Sequence, residues 1–456
     1  MSNKLDKKYG LLTAIAMVIG IVIGSGVFFK AEKVLTATGG NLFLGIIAWV
    51  IGGMIMIVCA YTFAVMATKY EYVNGVVDYA EAAIGKTYGY YIGWFIAVIY
   101  YPSLTSVLAW VSARYTSVLF GFSITGGECM TIACLYLVAS FAMNSLSPIL
   151  AGKFQVSTTF IKLIPLLLMG VVGTIVGLKN GMTVANFTIV VEEIDTFRGL
   201  FTAVVATAFA YDGWIIATSI NAELKDSKNN LPKALIGGTF VIMLVYILYY
   251  VGLAGAVSNE TMMAGGEAGA KLAFETIFSS AGGALIFVFV IISCLGTLNG
   301  LMLGCSRGLY SIAARGCGPK QNVFKQIDNV TNMPTNSSVI GLLFCGIWLL
   351  FFYGANLTDS WFGFFSFDSS ELPIVTIYAM YIPIFIMMIK KETDLGVIKR
   401  FVMPILSICG CMFMIVAACF AHRMAVVAYL IVFSIVMIIG SVFAKKTSDK
   451  KVANKL

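Results

Sequence analysis

Long apolar runs nearly free of charge limit this 456-residue chain more than any motif does. They fall near 11–35, 43–68, 88–119, 129–147, 155–178, 199–222, 234–257, 282–314, 337–353, 361–389, 401–421 and 424–444. Each approaches or exceeds the roughly 20 residues an α-helix needs to cross a bilayer. Inside hydrocarbon the backbone must satisfy its own polar groups, so runs of this length fold as helices. The expected class is an all-α polytopic membrane protein with 12 transmembrane helices in one domain over 1–456. With 59% hydrophobic and 11% charged residues, the chain is too apolar for a soluble one.

Cations orient the spans. With a cytoplasmic N-terminus, 21 of the 30 Lys and Arg fall on inner loops and termini. Six fall outside: Lys30, Lys33, Lys179, Arg198, Lys271 and Arg423. A miscounted span would invert every later loop and erase this bias, so the ratio predicts both termini inside, in a plasma membrane. The net charge of +8 is then explained by loops facing anionic lipid, and no nucleic-acid partner is called for. The first run resembles the start of a signal peptide, but it is too long and no small-residue cleavage site follows, so it reads as a retained span. Eight of the ten cysteines lie in predicted spans without metal or disulfide spacing. Cys129, near an outer loop, and Cys317 are the two expected to be exposed.

Two runs are interrupted. Gly24-Ser25-Gly26 stands in the middle of the first, where one interior glycine costs about 1 kcal/mol relative to alanine. One reading is a helix broken around a ligand; the other is a packing face, since Gly20 and Gly24 are four apart. The sixth run carries Phe209-Ala210-Tyr211-Asp212-Gly213-Trp214, an acid and a glycine at mid-span. Breaks five segments apart suggest an inverted repeat with a site at its midplane. Repeat one would cover about 11–178 and repeat two about 199–389, with 401–444 appended. A half-helix N-terminus offers unpaired amides and positive dipole, and a half-helix C-terminus offers carbonyls. An amino acid matches both: its carboxylate on the amides of Ser25, Gly26 and Val27 beside Gly24, its ammonium on carbonyls of Val22, Phe209, Ala210 and Asp212.

Ile23-Gly24-Ser25-Gly26-Val27-Phe28 resembles the opening signature of the amino acid–polyamine–organocation superfamily. Ala208 to Trp214, then Glu223-Leu224-Lys225 and Asn230-Leu231-Pro232-Lys233-Ala234, resemble segment six and its following loop in the L-amino-acid transporter branch, which includes bacterial serine/threonine exchangers. Leu298-Asn299-Gly300, Ser306-Arg307 and Ala313-Ala314-Arg315-Gly316 resemble that branch's segment eight. The resemblance covers roughly 10–390. It implies a LeuT-type five-plus-five inverted repeat with broken helices 1 and 6, and alternating access for amino acids. It also implies that Lys162 replaces a sodium ion, its ammonium near the carbonyls of Gly20 to Val22 and the stretch Ser293 to Thr297.

Ionisable groups within spans are functional candidates. Lys162 otherwise reads as an interfacial lysine reaching toward the inner face. Asp212 is either a proton carrier or a helix cap. Asp368 and Glu371, three apart on one expected helical face of segment ten, line a vestibule, hold a proton or meet a cationic substrate; the resembling family is apolar there. Tyr100, Tyr101 and Pro102 interrupt segment three at pocket depth, and Phe209 or Trp214 could gate the solute. The one histidine, His422, has no nucleophile or metal cluster near it in sequence, which argues against an enzyme. No cofactor, no metal and no obligatory protein partner are expected. The functions left open are a carrier of small or neutral α-amino acids, by exchange or with protons, a cationic amino acid or polyamine antiporter, and an amino-acid sensor.

Overall fold

Helices form wherever the sequence is apolar and end where glycine, proline or charge intervenes. The computed structural model describes residues 10–70, 75–217, 224–356 and 360–453, with side chains as far as Ala444. Lys4, Lys7, Lys8 and Glu223 lie outside these residues. No β-strand occurs among the described residues. Among the described residues, ten helices are long and apolar enough to cross a membrane. An eleventh crossing is the pair Leu11–Val22 and Gly26–Ala37, bent by 59°. Segment six is a shorter apolar helix, Thr196–Tyr211, followed by Trp214–Ala217. The expected twelve spans are thus ten or eleven by length, because the Asp212-Gly213 interruption leaves segment six below spanning length. The chain is a multi-pass, all-α membrane protein.

Irregularities are absorbed inside helices more often than expected. Segment three runs unbroken from Lys86 to Phe120: a π-helical turn at Ile96–Tyr100 precedes Pro102, and the Val98 carbonyl that Pro102 cannot serve accepts from Trp348 Nε1 at 3.0 Å. Segment five has a similar turn at Met169–Gly173, just beyond Pro165. Segment eight begins at Glu267 and kinks at Phe278 and Ser279. Segments eleven and twelve are joined by Arg423 alone, at φ 45°.

The chain divides into two compact units. One comprises Met1–Tyr79, Thr159–Ser293 and Ile374–Ala421; the other comprises Ala80–Thr158, Cys294–Pro373 and His422–Leu456. Small residues close the first unit. A Cβ on Gly252 would lie 2.2 Å from the Met169 carbonyl oxygen, and one on Gly255 2.2 Å from that of Gly173, so segments five and seven meet backbone to backbone. Aromatic rings fill what remains: Trp49 of segment two packs edge-on against Tyr211 and Tyr246, with centroids 5.6 Å away in each case. In the second unit, amides hold segments four, five and eight together. Asn144 Nδ2 donates to Asn299 Oδ1 at 2.8 Å, and Asn299 Nδ2 donates to Gln155 Oε1 at 3.2 Å.

Candidate functional site at paired helix breaks

The helix over Leu11–Val22 ends because Ile23 turns to extended geometry, φ −63° and ψ 109°. The next begins at Gly26 with Ser25 as its N-cap. Ser25 is fully buried, and its hydroxyl has no hydrogen-bond partner among the described residues. Its carbonyl already accepts from the amides of Phe28 and Phe29 at 3.1 and 3.2 Å. Helix geometry leaves the amides of Gly26 and Val27 without an intrahelical acceptor. A buried N-terminus with an unsatisfied hydroxyl beside it is a site for an anion.

The second break opens when Asp212 turns extended, ψ 159°, and Gly213 takes φ 98°. Here a C-terminus is exposed to the same neighbourhood, with the carbonyls of Phe209, Ala210 and Tyr211 at its last turn. The breaks touch. A Cβ on Gly26 would sit 2.5 Å from the Ala210 Cα and 3.0 Å from the Phe209 carbonyl oxygen, so only glycine permits this approach. Tyr246, fully buried on segment seven, ties the two together. Its hydroxyl lies 3.0 Å from the Ala210 carbonyl oxygen, 3.4 Å from that of Val22, and beside the Gly24 amide. One phenolic proton serves one carbonyl at a time, leaving the other open to a ligand. No sequence signal singles out Tyr246, since a tyrosine in an apolar run is ordinary packing.

Lys162 supports the first break from behind. It stands between the helices Pro148–Ile161 and Leu163–Leu168, is 4% exposed, and donates from Nζ to the Gly20 carbonyl oxygen at 2.5 Å. Gly20 itself packs on Thr159, whose Cγ2 would lie 2.7 Å from an added Cβ. The two readings of the glycines therefore divide by position: Gly20 is a packing glycine, and Gly24 to Gly26 form the interruption.

A family model described as amino acid permease matches residues 9–443. This chain belongs to the amino acid permease family. The permease is 32% identical over 313 residues to the serine/threonine exchanger SteT of Bacillus subtilis, covering 69% of each chain. It is 23% identical to the b(0,+)-type amino acid transporter 1 of Mus musculus, over 91% of this chain and 83% of that one. It is 26% identical to the large neutral amino acids transporter small subunit 2 of Oryctolagus cuniculus, over 72% and 62%.

The other candidate residues of the permease lie in varied surroundings. Tyr100 belongs to the second unit, buried in its π-turn against Phe95 and Tyr101. Asp368 and Glu371 do not share a helical face, because the helix of segment ten begins only at Leu372. Asp368 accepts from the amide and hydroxyl of Ser370. Glu371, 4% exposed, meets His422 Nε2 at 3.0 Å, a pairing across 51 residues that spacing could not reveal. Asp212 lies within electrostatic reach of Tyr378 and Tyr381, and Trp214 donates to the Tyr378 hydroxyl at 3.3 Å. Cys129 is fully buried, not exposed, because it faces inward one turn into the helix Gly127–Leu146. Lys30 is likewise no loop residue: it is fully buried within Gly26–Ala37, its ammonium 5.0 Å from the Phe29 ring centroid and 5.4 Å from that of Phe209.

Proposed function

We propose that this permease moves α-amino acids, small or neutral ones among them, across the plasma membrane by alternating access, as an exchanger or a proton-coupled symporter. The observation that carries the reading is the contact between the breaks, where Gly26 meets Phe209 and Ala210 beside the buried, unpartnered Ser25 hydroxyl. One side offers amides and the other carbonyls, so a zwitterion is held in one orientation. The carboxylate sits on Ser25, Gly26 and Val27; the ammonium sits on the carbonyls of Phe209, Asp212 and whichever of Val22 and Ala210 the Tyr246 hydroxyl leaves open. Each charge-assisted bond contributes about 1.5–3 kcal/mol, so several together offset the desolvation of both charges.

Lys162 on the Gly20 carbonyl stands where a coupling cation would otherwise be needed. In this reading each repeat, about 11–178 and about 199–389, opens with one break, and 401–444 is appended. With Lys30 buried, the outer cations fall to five against 21 inside, which supports cytoplasmic termini. The buried Cys129 thiol supports a carrier that works without a disulfide-linked protein partner. Exchange is the activity in the name of the Bacillus subtilis relative. Proton coupling is favoured by one observation, the contact of buried Glu371 with half-buried His422 where segment ten begins and segment eleven ends, two groups able to share a proton.

Purified protein in liposomes tests the reading. Radiolabelled amino acid is expected to enter faster when unlabelled amino acid is inside, for exchange, or when the outside is acidic, for symport. Absence of uptake under every such gradient overturns it.

A further inference from the structure

We infer that Lys30 forms, with Phe29 and Phe209, a second anion subsite that admits amino acids whose side chains carry a carboxylate. The inference rests on the head-group assignment at Gly24 to Val27. Lys30 lies four residues beyond Gly26, one turn further along the same helix, and positions four apart share a helical face. Gly26 faces the Phe209–Ala210 backbone, so Lys30 faces the same partner, and its ammonium indeed lies by the Phe209 ring. Helical side chains lean toward the N-terminus, which brings this ammonium back toward the first turn where the α-carboxylate binds.

The axial rise from Gly26 to Lys30 is about 6 Å. The two or three carbons between the carboxylates of aspartate or glutamate cover that span once the lysine leans back. The field agrees with this class of ligand. Lys33 adds a second ammonium 4.6 Å from the Phe29 ring, and the helix N-terminus adds its positive dipole. A side-chain ammonium would meet the same groups as repulsion, so cationic amino acids and polyamines are disfavoured at this subsite. The ring of Phe209 lies by the Lys30 ammonium and packs on Phe29 with centroids 6.0 Å apart, and the two rings give a side-chain carboxylate a dry wall.

Glutamine is nearly isosteric with glutamate, so competition by the two against labelled serine in proteoliposomes isolates the side-chain charge. In the natural protein glutamate is expected to compete at least as well as glutamine. In Lys30→Gln the glutamate-to-glutamine ratio of half-inhibitory concentrations is expected to rise at least tenfold, and in Lys30→Arg to stay within about threefold. Glutamine winning by tenfold in the natural protein overturns the inference while leaving amino-acid transport intact; so does a Lys30→Gln protein that weakens both competitors equally. Absence of serine transport in the natural protein overturns the underlying reading instead. If Lys30→Gln does not fold, thermal stabilisation of the natural protein by each ligand decides: glutamate must raise Tm at least as much as glutamine.

Discussion

The two breaks do the same thing to a helix by different means, and the difference gives the site its polarity. The first stops in extended backbone at Ile23 and restarts as a 12-residue helix, so its open end is an N-terminus. The second stops after a 16-residue helix in extended backbone at Asp212, so the end it presents to Gly26 is a C-terminus. One end carries unpaired amides and the other carbonyls. Their glycines also differ: Gly26 is required by contact, with backbone 2.5 Å from where a Cβ would be, whereas Gly213 is required by conformation, with φ 98° and its nearest neighbour at 3.8 Å.

That contrast predicts unequal damage. Gly26→Ala must push the breaks apart, and a displacement of about 1 Å at binding groups costs on the order of 100-fold in rate. Transport by Gly26→Ala in proteoliposomes is expected to fall by about that factor. Gly213→Ala meets no clash and bears only the strain of left-handed backbone, about 1–2 kcal/mol, so uptake is expected to fall by about tenfold or less. Equal losses in the two variants would show that the breaks do not divide the work in this way.

The groups that link the breaks come next. Tyr246→Phe removes the one hydroxyl that reaches both Val22 and Ala210 while keeping the ring against Trp49. A net hydrogen bond of about 1 kcal/mol is lost. The KM for amino acid is expected to rise about fivefold, with less change in maximal rate. An unchanged KM would mean the breaks hold their registration without segment seven.

How much of this was legible follows from what the signals were. Glycines within apolar runs are conspicuous, so Gly24-Ser25-Gly26 and Asp212-Gly213 read as interruptions, and Lys162 stands out as a charge inside a span. Tyr246 and Lys30 could not be placed. The first looks like any aromatic packing residue, and the second, a cation near the end of an apolar run, looks like a loop residue until the bend at Ile23 turns its half-helix inward. The acidic pair of segment ten misled for a related reason. A spacing of three is the same in a turn as on a helix, and the partner of Glu371 is contributed by the end of segment eleven, beyond any local pattern.

The smallest effect is expected away from both breaks, where the same unit carries an ion cluster at the ends of segments two and ten. Lys69 pairs with Glu392 and Asp394, and the Tyr70 hydroxyl donates to Glu392 at 2.5 Å. The Lys69 ammonium holds the Asp394 carboxyl below its ordinary value of 3.8. A carboxyl depressed by folding adds stability that is present above about pH 4 and disappears as pH falls through the lower, folded value. Asp394→Asn should therefore unfold at a slightly lower temperature than the natural protein at pH 7. The gap should close as the pH drops below 3.8, and transport should be unaffected. Asp394 is exposed and screened by water, unlike the buried groups at the breaks, so a transport defect as large as that of Gly213→Ala would show that this rim, and not only the paired breaks, takes part in carrying the substrate.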